Sequence, residues 1–166
     1  MDKHYLSILV ENRAGVLSRI SGLIARRGFN IDSLTVCATE NDDYSRMTIA
    51  LTADERTLTQ IKNQLSKQVE VVRIIELTAE DSVLRELLIV KIRSNAKLIP
   101  EITDITTIFK AKTIDISDAS MTLELTGRGA KLDSFLRLLA PYGILEMARS
   151  GASALQRGEE CLGEQK

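Results

Sequence analysis

The sequence predicts an α+β protein built from two tandem βαββαβ units. Three observations carry that prediction. Apolar residues alternate at period two in stretches such as Leu6, Ile8 and Val10, Met47, Ile49 and Leu51, and Leu88, Val90 and Ile92, which is strand period. Between them run stripes at helical period, such as Leu58, Ile61 and Leu65, or Leu132, Phe135, Leu136 and Leu139. The full order of elements then occurs twice, without obvious sequence identity between the copies.

In the first unit, residues 4–11 form a strand that ends at Asn12-Arg13-Ala14-Gly15. A helix follows from Val16, with Leu17, Ile20, Leu23 and Ile24 on one face, and Arg26-Arg27-Gly28 closes it with positive charge and a glycine stop. The run from Asn30 to Thr39 is rich in β-branched residues. Glu40 to Asp43 is a polar hairpin loop, and Tyr44 to Thr52 returns as a strand. Asp54 or Thr52 can cap a second helix reaching Gln68, and Val69 to Leu77 is the fourth strand. This order is the split βαβ arrangement, with four antiparallel strands carrying two helices on one face. The other face needs a partner or water.

The second unit repeats it. Arg85 to Ser94 is a strand, and Leu98 to Phe109 is a helix with Pro100 tolerable in its first turn. Ala111 to Ser117 and Ser120 to Thr126 form a hairpin, Lys131 to Ala140 is a helix stopped by Pro141-Tyr142-Gly143, and Ile144 to Arg149 closes the unit. The expected division is therefore 1–78, 79–151 and a loose, aperiodic tail over 152–166.

Composition excludes several function classes. Lys plus Arg number 22 against 23 Asp plus Glu, so no broad bias points to nucleic acid or an anionic membrane. Tryptophan is absent and aromatics make up 4%, a poor supply for stacking bases. No apolar run is long enough to span a bilayer and the start lacks the form of a secretion signal, so a cytoplasmic location is expected. Cys37 and Cys161 match no metal or redox spacing, and His4 is the only histidine, which argues against metal and triad chemistry. The carboxylate pairs Asp42/Asp43 and Glu159/Glu160 read as solvated charges. Gly127-Arg128-Gly129 reads as a loop, lacking a third glycine and a Lys-Ser/Thr pair.

The stretch that points to a ligand is the strand-to-helix turn at Asn12–Val16. Glycine lets a backbone approach a ligand closely, free N–H groups at a helix start attract a carboxylate, and an asparagine amide both donates and accepts. Locally this turn has two readings: a cradle for a zwitterion, or a helix capped by Asn12 with Gly15 relieving a tight bend. The second unit enters its first helix through Ser94-Asn95-Ala96-Lys97, without a glycine, so the candidate cradle exists only in the first. Pairing of two sheets through edge strands would bring the turn of one copy beside Asn30-Ile31 of another. Arg26-Arg27 and Ser45-Arg46 are further candidates for an anion or a partner's carboxylate, against a plain structural role as a helix end and an exposed strand position.

Several runs together resemble a known family. Glu11-Asn12-Arg13-Ala14-Gly15-Val16-Leu17-Ser18-Arg19, Arg27-Gly28-Phe29-Asn30-Ile31-Asp32-Ser33-Leu34-Thr35-Val36, Ser45-Arg46-Met47-Thr48-Ile49 and Gly143-Ile144-Leu145-Glu146-Met147-Ala148-Arg149-Ser150-Gly151 resemble the small regulatory subunit of acetolactate synthase. Gly127 with Lys131-Leu132-Asp133 and Phe135 matches too, and the likeness covers residues 4 to 158. It implies two ferredoxin-like units: an N-terminal ACT domain, the amino-acid-sensing module, and an ACT-like C-terminal domain. It further implies a chain that is not itself an enzyme and that pairs through its ACT domains as a homodimer. Such a chain activates a catalytic subunit carrying thiamine diphosphate, Mg and FAD, and confers feedback inhibition by valine or another branched-chain amino acid. No cofactor is implied on this chain. Carried over by motif, Asn12, Ala14, Gly15 and Val16 correspond to the carboxylate-and-ammonium cradle, with Asn30 and Ile31 supplied by the neighbouring copy. Ala38 and Asp42 stand where the family often has proline, and Cys37 replaces a small residue, which implies a hairpin 37–44 less rigid than usual. The alternative is a free-standing ACT-type sensor controlling another enzyme or transcription.

Overall fold

A computed structural model describes residues 2–78 and 80–163. The chain divides into two compact units, one running to Leu84 and taking in the segment from Gly151 onward, the other spanning Arg85–Ser150.

In the first unit, β1 (Asp2–Glu11) leads into α1 (Val16–Arg26), then β2 (Ser33–Ala38), β3 (Tyr44–Ala53), α2 (Glu55–Leu65) and β4 (Val71–Leu77). The strands are antiparallel in the order β2-β3-β1-β4. Alternation decides which face each side chain takes. Leu6, Ile8 and Val10 of β1 and Met47, Ile49 and Leu51 of β3 lie fully buried against Ile20 and Ile24 of α1 and Leu58, Ile61 and Leu65 of α2. Each such side chain contributes about 1.5–3 kcal/mol of burial free energy. Asp54 caps α2 by accepting from the Thr57 N–H at 2.7 Å.

The opposite face of this sheet carries Ser7 and Leu9 of β1, register partners of Thr48 and Arg46 of β3. Here the structure departs from the expected loose tail and from a unit ending at residue 78. The chain continues into β5 (Ser82–Arg93), and the segment after Gly151 folds back as β9 (Ser153–Gln156), which pairs with β5, whose first residues belong to this unit. Ala152 and Ala154 cluster with Leu77 and Leu84 against Tyr5 and Ile75. Thr35 Oγ1 donates to the Ala152 carbonyl at 2.6 Å, and Arg73 Nη1 to the Cys161 carbonyl at 3.0 Å. Small residues pack here without the periodic apolar stripe by which a strand is recognised. Gly151 makes the entry possible: its φ is +78°, and a Cβ would stand 3.0 Å from that of Ser33.

The second unit has the rest of β5, then α3 (Ile99–Phe109), β6 (Lys112–Ile116), β7 (Ser120–Gly127), α4 (Gly129–Leu139), a 3-10 turn at Ala140–Tyr142 and β8 (Ile144–Arg149), in the order β6-β7-β5-β8. Leu88, Val90, Ile92, Leu123, Leu132 and Phe135 are fully buried in its core. Gly129 opens α4, and a Cβ there would stand 3.0 Å from both Arg149 Nη2 and Glu86 Oε1. The glycine therefore makes room for the ion pair between Arg149 and the buried Glu86, a structural reason for the Gly-x-Gly look. No helix among the described residues is long and apolar enough to cross a membrane.

Two measurements check this packing. Phe135 is fully buried, with its ring 5.2 Å from that of Phe109. Phe135→Ala should cost about 3–5 kcal/mol in urea unfolding of the second unit. In the first unit, burial raises the Glu76 carboxyl, but hydrogen bonds from Lys62 and His4, with their charges, outweigh it and hold the group below its ordinary value. A depressed carboxyl stabilises the fold above about pH 4.3, and the contribution is lost as pH falls through the folded value. The urea midpoint of the first unit should therefore drop on acidification below pH 4.3, and less steeply in Glu76→Gln.

Candidate functional site

The register of β1 on β3 places Val10 opposite Ser45 and Glu11 opposite Tyr44, so Asn12 emerges beside the β2–β3 hairpin. Its backbone N–H donates to the Asp43 carbonyl at 2.7 Å. Its side chain is held at both ends, Nδ2 donating to the Asp42 carbonyl at 2.8 Å and Oδ1 accepting from Ser45 Oγ at 3.0 Å. Each end keeps one unused valence, because an amide has two N–H donors and two lone pairs on oxygen. Asn12 is thus oriented by the hairpin, and it does not cap α1.

No side chain caps α1. Gly15 occupies the N-cap position in the left-handed region, φ 86° and ψ −11°, and accepts the first helical bond from the Arg19 N–H at 3.0 Å. Val16 N–H reaches the Arg13 carbonyl at 3.3 Å, while the amides of Ala14, Gly15, Leu17 and Ser18 have no acceptor among the described residues. Uncapped amides at a helix start carry the positive end of the helix dipole, which suits a carboxylate. Arg19 adds charge nearby: its Nη2 lies 3.7 Å from where a Gly15 Cβ would stand, and its Nη1 pairs with Glu70 at 2.5 Å.

Asn12, Ala14, Gly15 and Val16 are thereby brought into one turn, with Asn12 and Ala14 exposed and the Val16 side chain buried in the core, so that Val16 offers its backbone. Asn30 and Ile31 are elsewhere. They lie in the connection from α1 to β2, Asn30 exposed and Ile31 packed on the core. The 11-residue α1 separates them from the turn by about 16 Å along its axis, so one chain does not join the two groups. Ser45, Asp42 and Arg19 support the turn without having been singled out for it. Strand register alone pairs Ser45 with the end of β1, and that was the available signal.

The hairpin around Asp42 is held by its own hydrogen bonds. Thr39 Oγ1 donates to the Asn41 carbonyl at 2.9 Å, Asn41 Oδ1 accepts from the Asp43 N–H at 3.0 Å, and Thr39 N–H donates to the Tyr44 carbonyl at 3.0 Å.

The corresponding turn of the second unit is closed. Ser94 takes the place of Asn12, its N–H donating to the Ala119 carbonyl at 3.0 Å, and Asn95 Oδ1 accepts from the N–H groups of Lys97 and Leu98 at 2.9 and 3.2 Å. An asparagine of the chain itself thus takes up donors in the turn before α3.

Comparison with known proteins agrees with this two-unit arrangement. Residues 6–73 match the model of the AHAS small subunit-like ACT domain, and residues 85–158 match that of the small subunit of acetolactate synthase. The chain is 46% identical over 163 residues to the acetolactate synthase small subunit of Mycolicibacterium smegmatis, covering 98% of this chain and 96% of that one. It is 44% identical over 158 residues to a probable acetolactate synthase small subunit of Archaeoglobus fulgidus, covering 95% and 99%. The crystal structure of the acetolactate synthase small subunit from Thermotoga maritima superposes with a TM-score of 0.88 at 36% identity, covering 96% of this chain and all of that one. Two family matches in tandem and near-complete relatives in both sequence and structure lead to one conclusion: the chain belongs to the acetolactate synthase small-subunit family, whose members serve a catalytic subunit in a regulatory role.

Proposed function

We propose that this small subunit, acting in the cytoplasm and without an active site of its own, activates its thiamine-diphosphate-dependent catalytic subunit and makes that activity sensitive to valine. The observation that carries the effector half is the uncapped head of α1, where Gly15 in the left-handed region and unpaired amides face outward beside an oriented Asn12. The valine carboxylate sits on those amides, and its ammonium is taken by the free lone pair of Asn12 Oδ1. Asn30 and Ile31 come from a second copy across a two-fold axis. The free edge of β2 supports that pairing: among the described residues β2 has β3 as its one strand neighbour, and Val36 on it is 40% exposed. Valine shifts the complex by binding one arrangement of the paired ACT units more tightly than the other, since equal affinity for both would shift nothing.

The first test is acetolactate formation by the cognate catalytic subunit, titrated with this chain in the presence and absence of valine. Stimulation that valine reverses is the expected result, and no stimulation would instead favour a free-standing sensor. The second test reads valine binding by calorimetry. Asn12→Ala and Asn30→Ala should each weaken the interface site about tenfold, the loss of a hydrogen bond to a charged group. Gly15→Asp should abolish it, because φ is +86° there and the new carboxylate would face that of the ligand. Unchanged binding in all three variants would remove the site assignment.

A further inference from the structure

The face of the first sheet opposite its helices carries a cation that the function above does not use. Arg46 of β3 is half-buried there, and among the described residues its guanidinium has one partner, Ser7 Oγ at 3.1 Å, itself a buried neutral hydroxyl. A guanidinium withdrawn from water ordinarily has a carboxylate or several acceptors to offset the lost hydration. Arg46 lines a cavity of about 310 Å³, of the size that holds a small metabolite, between the β2–β3 hairpin and the returning C-terminal segment. Glu40 lines the same cavity, and it makes no ion pair with Arg46 or with any other described residue. Thr48 lines it as well; it is 3% exposed, and its hydroxyl has no hydrogen-bond partner among the described residues. Ala154 and Leu155 of β9 give the cavity an apolar wall. Two opposite charges that share a cavity without meeting, beside an unused hydroxyl and an apolar wall, are complementary to one class of small molecule.

We infer that this cavity binds a zwitterionic α-amino acid with an apolar side chain, its carboxylate on Arg46 and Thr48, its ammonium on Glu40 and its side chain against Ala154 and Leu155. This site is separate from the Asn12–Gly15 turn, since Arg46 and Thr48 share the sheet face of Leu9 and Ser7, opposite the helices. It lies within one chain and needs no second copy.

The test is calorimetric titration of the full chain with L-valine and with its 2-oxo analogue, which keeps the carboxylate and lacks the ammonium. In an Asn12→Ala/Asn30→Ala background, which weakens the interface site about a hundredfold, tight L-valine binding should persist, and adding Arg46→Gln should weaken it at least tenfold, as expected for loss of a charge-assisted hydrogen bond. Glu40→Gln should weaken L-valine but leave the 2-oxo acid as it was. Leu155→Trp keeps the test independent of any folding defect from Arg46→Gln: Leu155 is 57% exposed on β9 and lines the cavity, so a larger ring is tolerated by the fold and narrows the space left for the ligand. Absence of L-valine binding in the folded double variant, or affinity unmoved by both Arg46→Gln and Leu155→Trp, would overturn the inference. Neither result would bear on the interface site, which is read in the single Asn12 and Asn30 variants.

Discussion

The antiparallel register between β1 and β3 is the constraint on which the rest of the first unit depends. Pairing Leu9 with Arg46 and Val10 with Ser45 fixes which side chains meet the helices and which meet the opposite face. A slip of one residue would send Leu6, Ile8 and Val10 out of the core, and about a dozen buried apolar side chains resist it. The same register sets Asn12 next to Asp42 and Ser45, so one pairing builds both the core and the ligand-facing turn. It also puts Arg46 on the far face, beside Ser7.

Two units of one topology have opposite local chemistry at the corresponding turn. In the second, Asn95 turns its side-chain oxygen onto the N–H groups of Lys97 and Leu98, in the turn that leads into α3. In the first, the head of α1 has no side-chain cap, and a left-handed glycine stands where a capping side chain would add a few tenths of a kcal/mol. A fold that can cap a helix and leaves one uncapped keeps donors unpaired for something else. The asparagine that could have capped α1 is held away from it by the hairpin, ready to meet a ligand with its remaining valences.

The C-terminal segment changes the character of the open sheet face. A split βαβ sheet leaves one side uncovered, and here Ala152, Ala154 and the hydrogen bonds from Thr35 and Arg73 cover part of it with the chain's own end. This segment joins the first unit although it follows the second in sequence. Small residues, a glycine turn and bonds to backbone carbonyls leave no periodic signature, which is why residues 152–166 read as a tail, the last three of them outside the described residues.

Element type and order were legible from periodicity alone, because alternation in β1, β3, β5 and β7 and the stripes of α1 to α4 report burial on one face directly. The turn at Asn12–Val16 was legible as a candidate, since glycine and asparagine between a strand and a helix have few purposes. Its two local readings were separated only by tertiary structure: the hairpin takes both ends of the Asn12 amide, and Gly15, uncapped, heads the helix. Sequence likewise set Arg46 on a strand without saying what faces it. That depended on a strand more than a hundred residues later folding back over the sheet, a long-range pairing that no local pattern encodes.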